Sequence, residues 1–207
     1  MEEPRFTRRT AIAGALFIGI LAFSSVFLPP ILSLIFPAFH GVNYDNPQQI
    51  DFSLPMAPNG DTFNLRDYRG KVVVIYFGYT NCPDICPTTL YDLHRTMGEL
   101  GEDASEVQVV FITIDPERDN SQHLADYLSY FDKSFVGLYG TMDQLQPVYD
   151  QFGVRVLSKE QTTGALGHTA DTFLIDRSGK LRVHQHYGMR PEQIAEDLQI
   201  LIREKRS

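Results

Sequence analysis

Val72-Val73-Val74-Ile75-Tyr76-Phe77 runs directly into Gly78-Tyr79-Thr80-Asn81-Cys82-Pro83-Asp84-Ile85-Cys86-Pro87, and this junction decides the fold. An unbroken apolar run bounded by glycine reads as a strand covered on both faces, as strands of parallel sheets are. A tight loop and a helix follow, Pro87 being suited to a first helical position. Strand, loop and helix in that order put reactive groups at the carboxyl end of a strand, before a helix N-terminus. Both cysteines of the chain, Cys82 and Cys86, fall there. Free N–H groups and the helix dipole lower a thiol's pKa, so one or both are expected as thiolate, the form that binds metal or attacks a disulfide. Two buried, inert cysteines are the competing expectation.

Spacing bears on the choice between metal and redox chemistry without closing it. Residues four apart on a helix have Cβ atoms roughly 5–6 Å apart, whereas a disulfide needs about 3.5–4.5 Å. A metal held by two thiolates at about 2.3 Å tolerates the wider pair. Cys82, preceding Pro83, is biased away from regular helix, which lets the distance vary and keeps a disulfide available.

Upstream, Arg5, Arg8 and Arg9 precede an uncharged run from Ala11 to Leu28, and no Lys or Arg follows until Arg66. Eighteen apolar residues make a helix about 27 Å long, enough for one membrane span. The arginines orient its N-terminus to the cytoplasm and send the rest outward, and Pro29-Pro30 ends it. Residues 1–40 are therefore read as cytoplasmic tip and membrane anchor, 41–50 as a tether and 51–207 as one folded domain. A cleaved signal peptide is the alternative, although the apolar run is long for one and no A-x-A-like site follows.

The whole chain has 18 Lys and Arg against 26 Asp and Glu. Setting aside the three arginines and two glutamates of residues 1–40 leaves 15 against 24, a net charge of −9. Nucleic acid is excluded as a natural partner of so acidic a domain. Two cysteines are too few for a disulfide-stapled scaffold or a Cys₄ zinc site.

Asp51 to Leu65 reads as a short hairpin turned at Pro58-Asn59-Gly60-Asp61. After the cysteine loop, Leu90, Leu93, Met97 and Leu100 recur at helical spacing and Gly101 supplies a stop. Val107 to Ile114 is a second apolar strand, ending in Asp115-Pro116-Glu117-Arg118-Asp119. Leu124, Tyr127, Leu128 and Phe131 mark another helix, and Thr141 with Gln144 forms a capping box for a third, with a kink expected at Pro147. Residues 157–168 are polar and carry Gly164 and Gly167, a loop by composition that delivers His168 to an antiparallel pair, 171–175 and 181–186. Pro191 opens a last helix. Two central parallel strands, an antiparallel hairpin and a final helix make an α/β fold of thioredoxin-like sandwich type, here with an N-terminal transmembrane helix.

The segments 78–87, Ile114-Asp115-Pro116-Glu117-Arg118-Asp119, and His168 ahead of Leu174-Ile175-Asp176-Arg177-Ser178-Gly179-Lys180 resemble the Sco/SenC family of copper proteins, over most of residues 50–204. The resemblance implies copper, Cu(I), Cu(II) or both, held by Cys82, Cys86 and His168. Soft thiolates select Cu(I) and imidazole suits both oxidation states. Asp115, paired with Arg118 or with loop N–H groups, is expected to support the site rather than ligate, and Asp84 adds negative charge between the cysteines or is simply solvated. His184 and His186, an H-x-H on one strand face, read as an exposed face, with a second metal site as the minor alternative. Two departures from the family pattern stand out: Gly167 replaces an Asp before the histidine, and Asn120-Ser121 replaces a Thr-Pro.

What the resemblance implies is a metallochaperone that helps load the binuclear copper centre of cytochrome c oxidase subunit II by ligand exchange, without bond-making catalysis. The implied setting is the bacterial inner membrane, single-pass, with the domain in the periplasm. A mitochondrial inner membrane fits less well, because the N-terminus lacks a long Arg-rich transit sequence. The copper donor is not identified by sequence. The competing reading is an enzyme, a thiol–disulfide reductase of that subunit's cysteines, with Cys82 attacking and Cys86 resolving. No proline between Pro147 and Pro191 stands where such reductases carry a cis-proline, which counts against it.

Overall fold

The computed structural model describes residues 38–156 and 170–204. The strands among them are β1 (Val42–Asn43), β2 (Ser53–Pro55), β3 (Thr62–Asn64), β4 (Val72–Gly78), β5 (Val107–Thr113), β6 (Val136–Leu138), β7 (Thr172–Ile175) and β8 (Leu181–Gln185). The helices are α1 (Ile85–Leu100), α2 (Ser121–Ser129), α3 (Met142–Phe152) and α4 (Pro191–Arg203).

One sheet of order β1-β8-β7-β4-β5-β6 organises these residues. β4 runs parallel to β5, from Val72 opposite Val107 to Gly78 opposite Thr113, and antiparallel to β7, with Tyr76 opposite Thr172. Every residue of β4 is buried, because strands neighbour it on both sides and side chains cover both faces. Tyr76 and Phe77 alternate across the pleat and separate two aromatic groups. Tyr76 meets Phe111, which meets Tyr127 of α2, both edge to face. Phe77 meets Tyr149 and Phe152 of α3 and Phe173 of β7 on the other side. Such pairs add about 0.5–1.5 kcal/mol each beyond the burial itself. The expected thioredoxin-like α/β sandwich results, with the hairpin β2–β3 beside it.

The helix boundaries have local causes. Asn120 caps α2, its side chain accepting from His123 N at 2.9 Å, so the Asn-Ser that stands for Thr-Pro starts the helix by capping. Thr141 N donates to Gln144 Oε1 at 2.9 Å at the start of α3, which runs on through Pro147 and stops at Gly153 in the left-handed region. α1 begins at Ile85, two residues earlier than read from sequence. Pro87 still fits, because the first-turn N–H groups have no intrahelical acceptor.

Two strands differ from the sequence reading. Residues 41–50, expected as a tether, join the domain: Val42 pairs with His184, and Asn43 with Val183. Gly41 is required there, since a Cβ would meet Val183 at 2.6 Å. β6 was also absent from the expectation, being three residues with Gly137 at its centre. A Cβ at Gly137 would meet Leu124 and Leu128 at 2.8 Å, so the glycine is what lets α2 lie against the strand.

Among the described residues no helix is long and apolar enough to cross a membrane. The 11–28 run and His168 both lie outside the described residues.

Candidate metal centre

β4 ends at Gly78, and the loop to α1 folds back on itself, with Cys82 N donating to Tyr79 O at 3.2 Å. Tyr79 is buried and anchors the loop to the core. This turn brings Cys82 over the first turn of α1, where the backbone N–H of Cys86 donates to Cys82 Sγ at 3.3 Å. A first-turn helix N–H donating to sulfur is the anion-favouring geometry expected of the junction. Cys82 is half-buried, and Cys86 is wholly buried.

The two thiols are not equivalent. A hydrogen bond with Cys82, followed by burial, pushes the Cys86 thiol well above its ordinary range. Of the two sulfurs, one or both expected as thiolate, Cys86 is the one that resists ionisation: a helix terminus favours an anion, but a desolvated sulfur beside another sulfur resists the charge. A soft cation bridging both sulfurs removes that cost, since the metal takes the place of the protons.

Gly78 makes room for the second sulfur. A Cβ there would stand 2.8 Å from the Phe111 ring and 3.0 Å from Cys86 Sγ. The glycine thus serves a close approach, as a strand glycine often does. Tyr76 projects on the same face, and its hydroxyl lies buried near Cys86 without a well-formed hydrogen bond. The hydroxyl of Tyr127 is likewise buried and has no hydrogen-bond partner among the described residues. Both phenols are held well above their ordinary pKa, first by burial and then by the cysteine sulfur nearby, so they are neutral O–H donors facing a sulfur site.

Asp119 holds the loop in place. It is buried and accepts from Thr80 N at 3.2 Å, Thr80 Oγ1 at 2.5 Å and Thr113 Oγ1 at 2.6 Å. It therefore ties the cysteine loop to the end of β5. Sequence reasoning gave it no role; the signal was the second aspartate of the Asp-Pro-Glu-Arg-Asp run, with threonines at both ends it joins. Asp115, also buried, forms an ion pair with Arg118 and takes a hydrogen bond from its own turn, Arg118 N to Asp115 O at 3.1 Å. Arg118 in turn lies 5.7 Å over the Tyr79 ring. Asp84 is exposed at the N-cap of α1 and its side chain makes no capping bond. The structure thus brings together Cys82, Cys86, Asp115 and Arg118 around one loop.

A family model described as SCO1/SenC matches residues 43–203. The chain belongs to the SCO1/SenC family. It is 39% identical over 152 residues to an SCO2-like protein of Rickettsia felis, covering 72% of this chain and 74% of that one. Among solved structures it resembles copper-bound ScoI of Bradyrhizobium japonicum, at 34% identity and a TM-score of 0.67, over 74% of this chain and 98% of that chain. It also resembles apo Sco1 of Thermus thermophilus, at 35% identity and a TM-score of 0.71, over 79% and 97%. SCO1/SenC membership covers the cysteine loop, the Asp119 tie and the β7–β8 hairpin alike.

Proposed function

We propose that this SCO1/SenC protein is a copper metallochaperone that holds copper through Cys82, Cys86 and His168. In this reading it helps assemble the binuclear copper centre of cytochrome c oxidase subunit II. The observation that carries it is the sulfur pair at the α1 N-terminus, with Cys86 N donating to Cys82 Sγ at 3.3 Å. Two soft sulfurs suit Cu(I), and a single added imidazole leaves copper open to exchange with an acceptor site. Binding would exchange the S–H bonds for metal–sulfur bonds with the protons released to solvent, and delivery would reverse that exchange, with no change in oxidation state. The buried phenols of Tyr76 and Tyr127 stay neutral and add no charge beside the sulfurs, and Asp119 keeps the loop from swinging away. The anchor at 11–28 tethers the domain to the bacterial inner membrane, facing the periplasm.

Reduced protein should take up one Cu(I) per chain, and Cys82→Ser and Cys86→Ser should each abolish tight binding. Unchanged Cu(I) affinity in either variant would refute the site. A second reading has one observation in its favour: Cys82 is half-exposed while Cys86 is buried, the asymmetry of an attacking and a resolving sulfur. Useful turnover of a disulfide substrate by copper-free protein would select it over delivery.

A further inference from the structure

Phe173 and His184 are cross-strand partners in β7 and β8, and their rings stack at 5.3 Å with an interplanar angle of 16°. His186, two residues further along, points to the same face, its ring 4.5 Å from that of His184. Asp171, immediately before β7, completes the group. Its Oδ2 lies 2.7 Å from His184 Nε2 and its Oδ1 lies 3.3 Å from His186 Nδ1. One potential ligand atom from each of the three residues lies within 4.8 Å of the others.

We propose that Asp171, His184 and His186 form a second, thiol-free metal site for a borderline divalent ion of the late first transition row, such as Cu(II) or Zn(II). Two imidazole nitrogens and one carboxylate oxygen are the donor chemistry such ions prefer. In a tetrahedral site, ligand atoms at about 2.0–2.1 Å from the metal stand roughly 3.3 Å from one another. Asp171 reaches His184 through Oδ2 at 2.7 Å and His186 through Oδ1 at 3.3 Å, so a small rotation of the carboxylate and closure of the imidazole pair bring one donor from each residue to such spacings. His186 provides the movement, its side chain being 66% exposed, while His184 is held by the Phe173 stack. Three protein ligands leave a position for water, so the ion exchanges readily.

The site is separate from the thiols. Thr172 is opposite both Tyr76 and Gln185, so Asp171 and His186 lie at the level where β4 ends, on the sheet edge that carries the cysteine loop. Strand β8 is two strands from β4, roughly 10 Å in the hydrogen-bonding direction. The faces also differ. Phe173 packs with Phe77 and Phe152, on the opposite side of the sheet from Tyr76 and Cys86. The sheet itself therefore stands between this cluster and Cys86, and the cluster can fill without the sulfurs. In sequence, the H-x-H spacing was the visible half of this site; the carboxylate came from a neighbouring strand whose register decides the contact.

The test uses the full chain in detergent carrying Cys82→Ser, Cys86→Ser and His168→Ala, which removes every ligand of the functional reading. Titration with Zn(II), followed calorimetrically, should give one ion per chain. Cu(II) should give an electron paramagnetic resonance spectrum with nitrogen coupling and no thiolate charge-transfer band in the optical spectrum. Adding His186→Ala, an exposed position where folding is not at risk, should weaken Zn(II) binding at least tenfold, since losing even a supporting group costs roughly 10–100-fold. Asp171→Asn should do the same. Absence of binding in the triple variant overturns the proposal, as does binding that His186→Ala and Asp171→Asn leave unchanged. Neither result touches Cu(I) binding by the cysteines of the unmodified chain, so the two readings fail separately.

Discussion

Thr113 Oγ1 donates to Asp119 Oδ2 at 2.6 Å, and both side chains are out of water. The same carboxylate also takes both donors of Thr80. One buried acid therefore fixes the end of the second central strand to the loop that carries the first cysteine.

Asp119→Ala would leave buried threonine hydroxyls and a loop N–H without their acceptor. Hydrogen bonds to a charged, buried acceptor are worth enough that the loss should be about 3 kcal/mol. Chemical denaturation of the copper-free protein measures it. Thr113→Val removes a single donor and should cost less; equal losses would show that the tie is not shared in the way described.

Gly78→Ala tests crowding at the sulfur. The added methyl meets the Phe111 ring at 2.8 Å and Cys86 Sγ at 3.0 Å, in a strand buried on both faces. Overpacking of that kind costs about 1–3 kcal/mol. Cu(I) affinity should fall with it, because Cys86 is one of the two groups that the methyl crowds. Gly98→Ala, in α1 where a Cβ meets nothing, is the control: it should leave Cu(I) affinity unchanged and raise stability by up to about 1 kcal/mol through helix propensity.

The aromatic-rich central strands, the helices and the cysteine loop were legible because their signals are local: apolar runs, 3.6-residue spacing, capping residues and a Pro-bounded turn. β1 and β6 were not, because two and three residues carry no period, and each is recruited by a neighbour, β8 or β5. Asp119 and Asp171 escaped for a related reason. An acid's role depends on what the fold sets against it, here Thr80 and Thr113 in one case and two histidines in the other. The reductase reading did set Cys82 outside Cys86, as attacking and resolving sulfurs, and the structure keeps that order of depth; what spacing does not encode is how far burial holds the Cys86 proton.

The raised Cys86 thiol gives a reactivity and a pH prediction. Iodoacetamide at neutral pH should label Cys82 first, with Cys86 protected until the chain unfolds, as peptide mapping by mass spectrometry would show. Because its pKa is raised in the folded state above the ordinary 9.0, the folded chain holds this proton more tightly than the unfolded chain. Its contribution to stability is complete below pH 9 and is lost as pH rises beyond it. Cys86→Ala should flatten that alkaline decline; an unchanged slope would assign it to the buried tyrosines instead.

His168→Ala should weaken Cu(II) far more than Cu(I), since two sulfurs satisfy Cu(I) whereas Cu(II) favours nitrogen and higher coordination. The comparison is made on protein already carrying His186→Ala, so that the Asp171 cluster does not supply the nitrogen. A Cu(II) spectrum unaltered by His168→Ala would mean the third ligand is misassigned.

The hairpin that precedes the central strands has a further effect on how these molecules behave in a crowd. Ala57 N donates to Gly137 O at 2.9 Å and Tyr139 N to Pro55 O at 3.1 Å, so the hairpin covers the outer side of β6. At the opposite margin the last strand is only Val42–Asn43. An incoming chain seeking backbone partners finds one border already engaged and the other two residues long, too short to template a growing ribbon. The domain can thus be held at high local density without its sheets joining edge to edge.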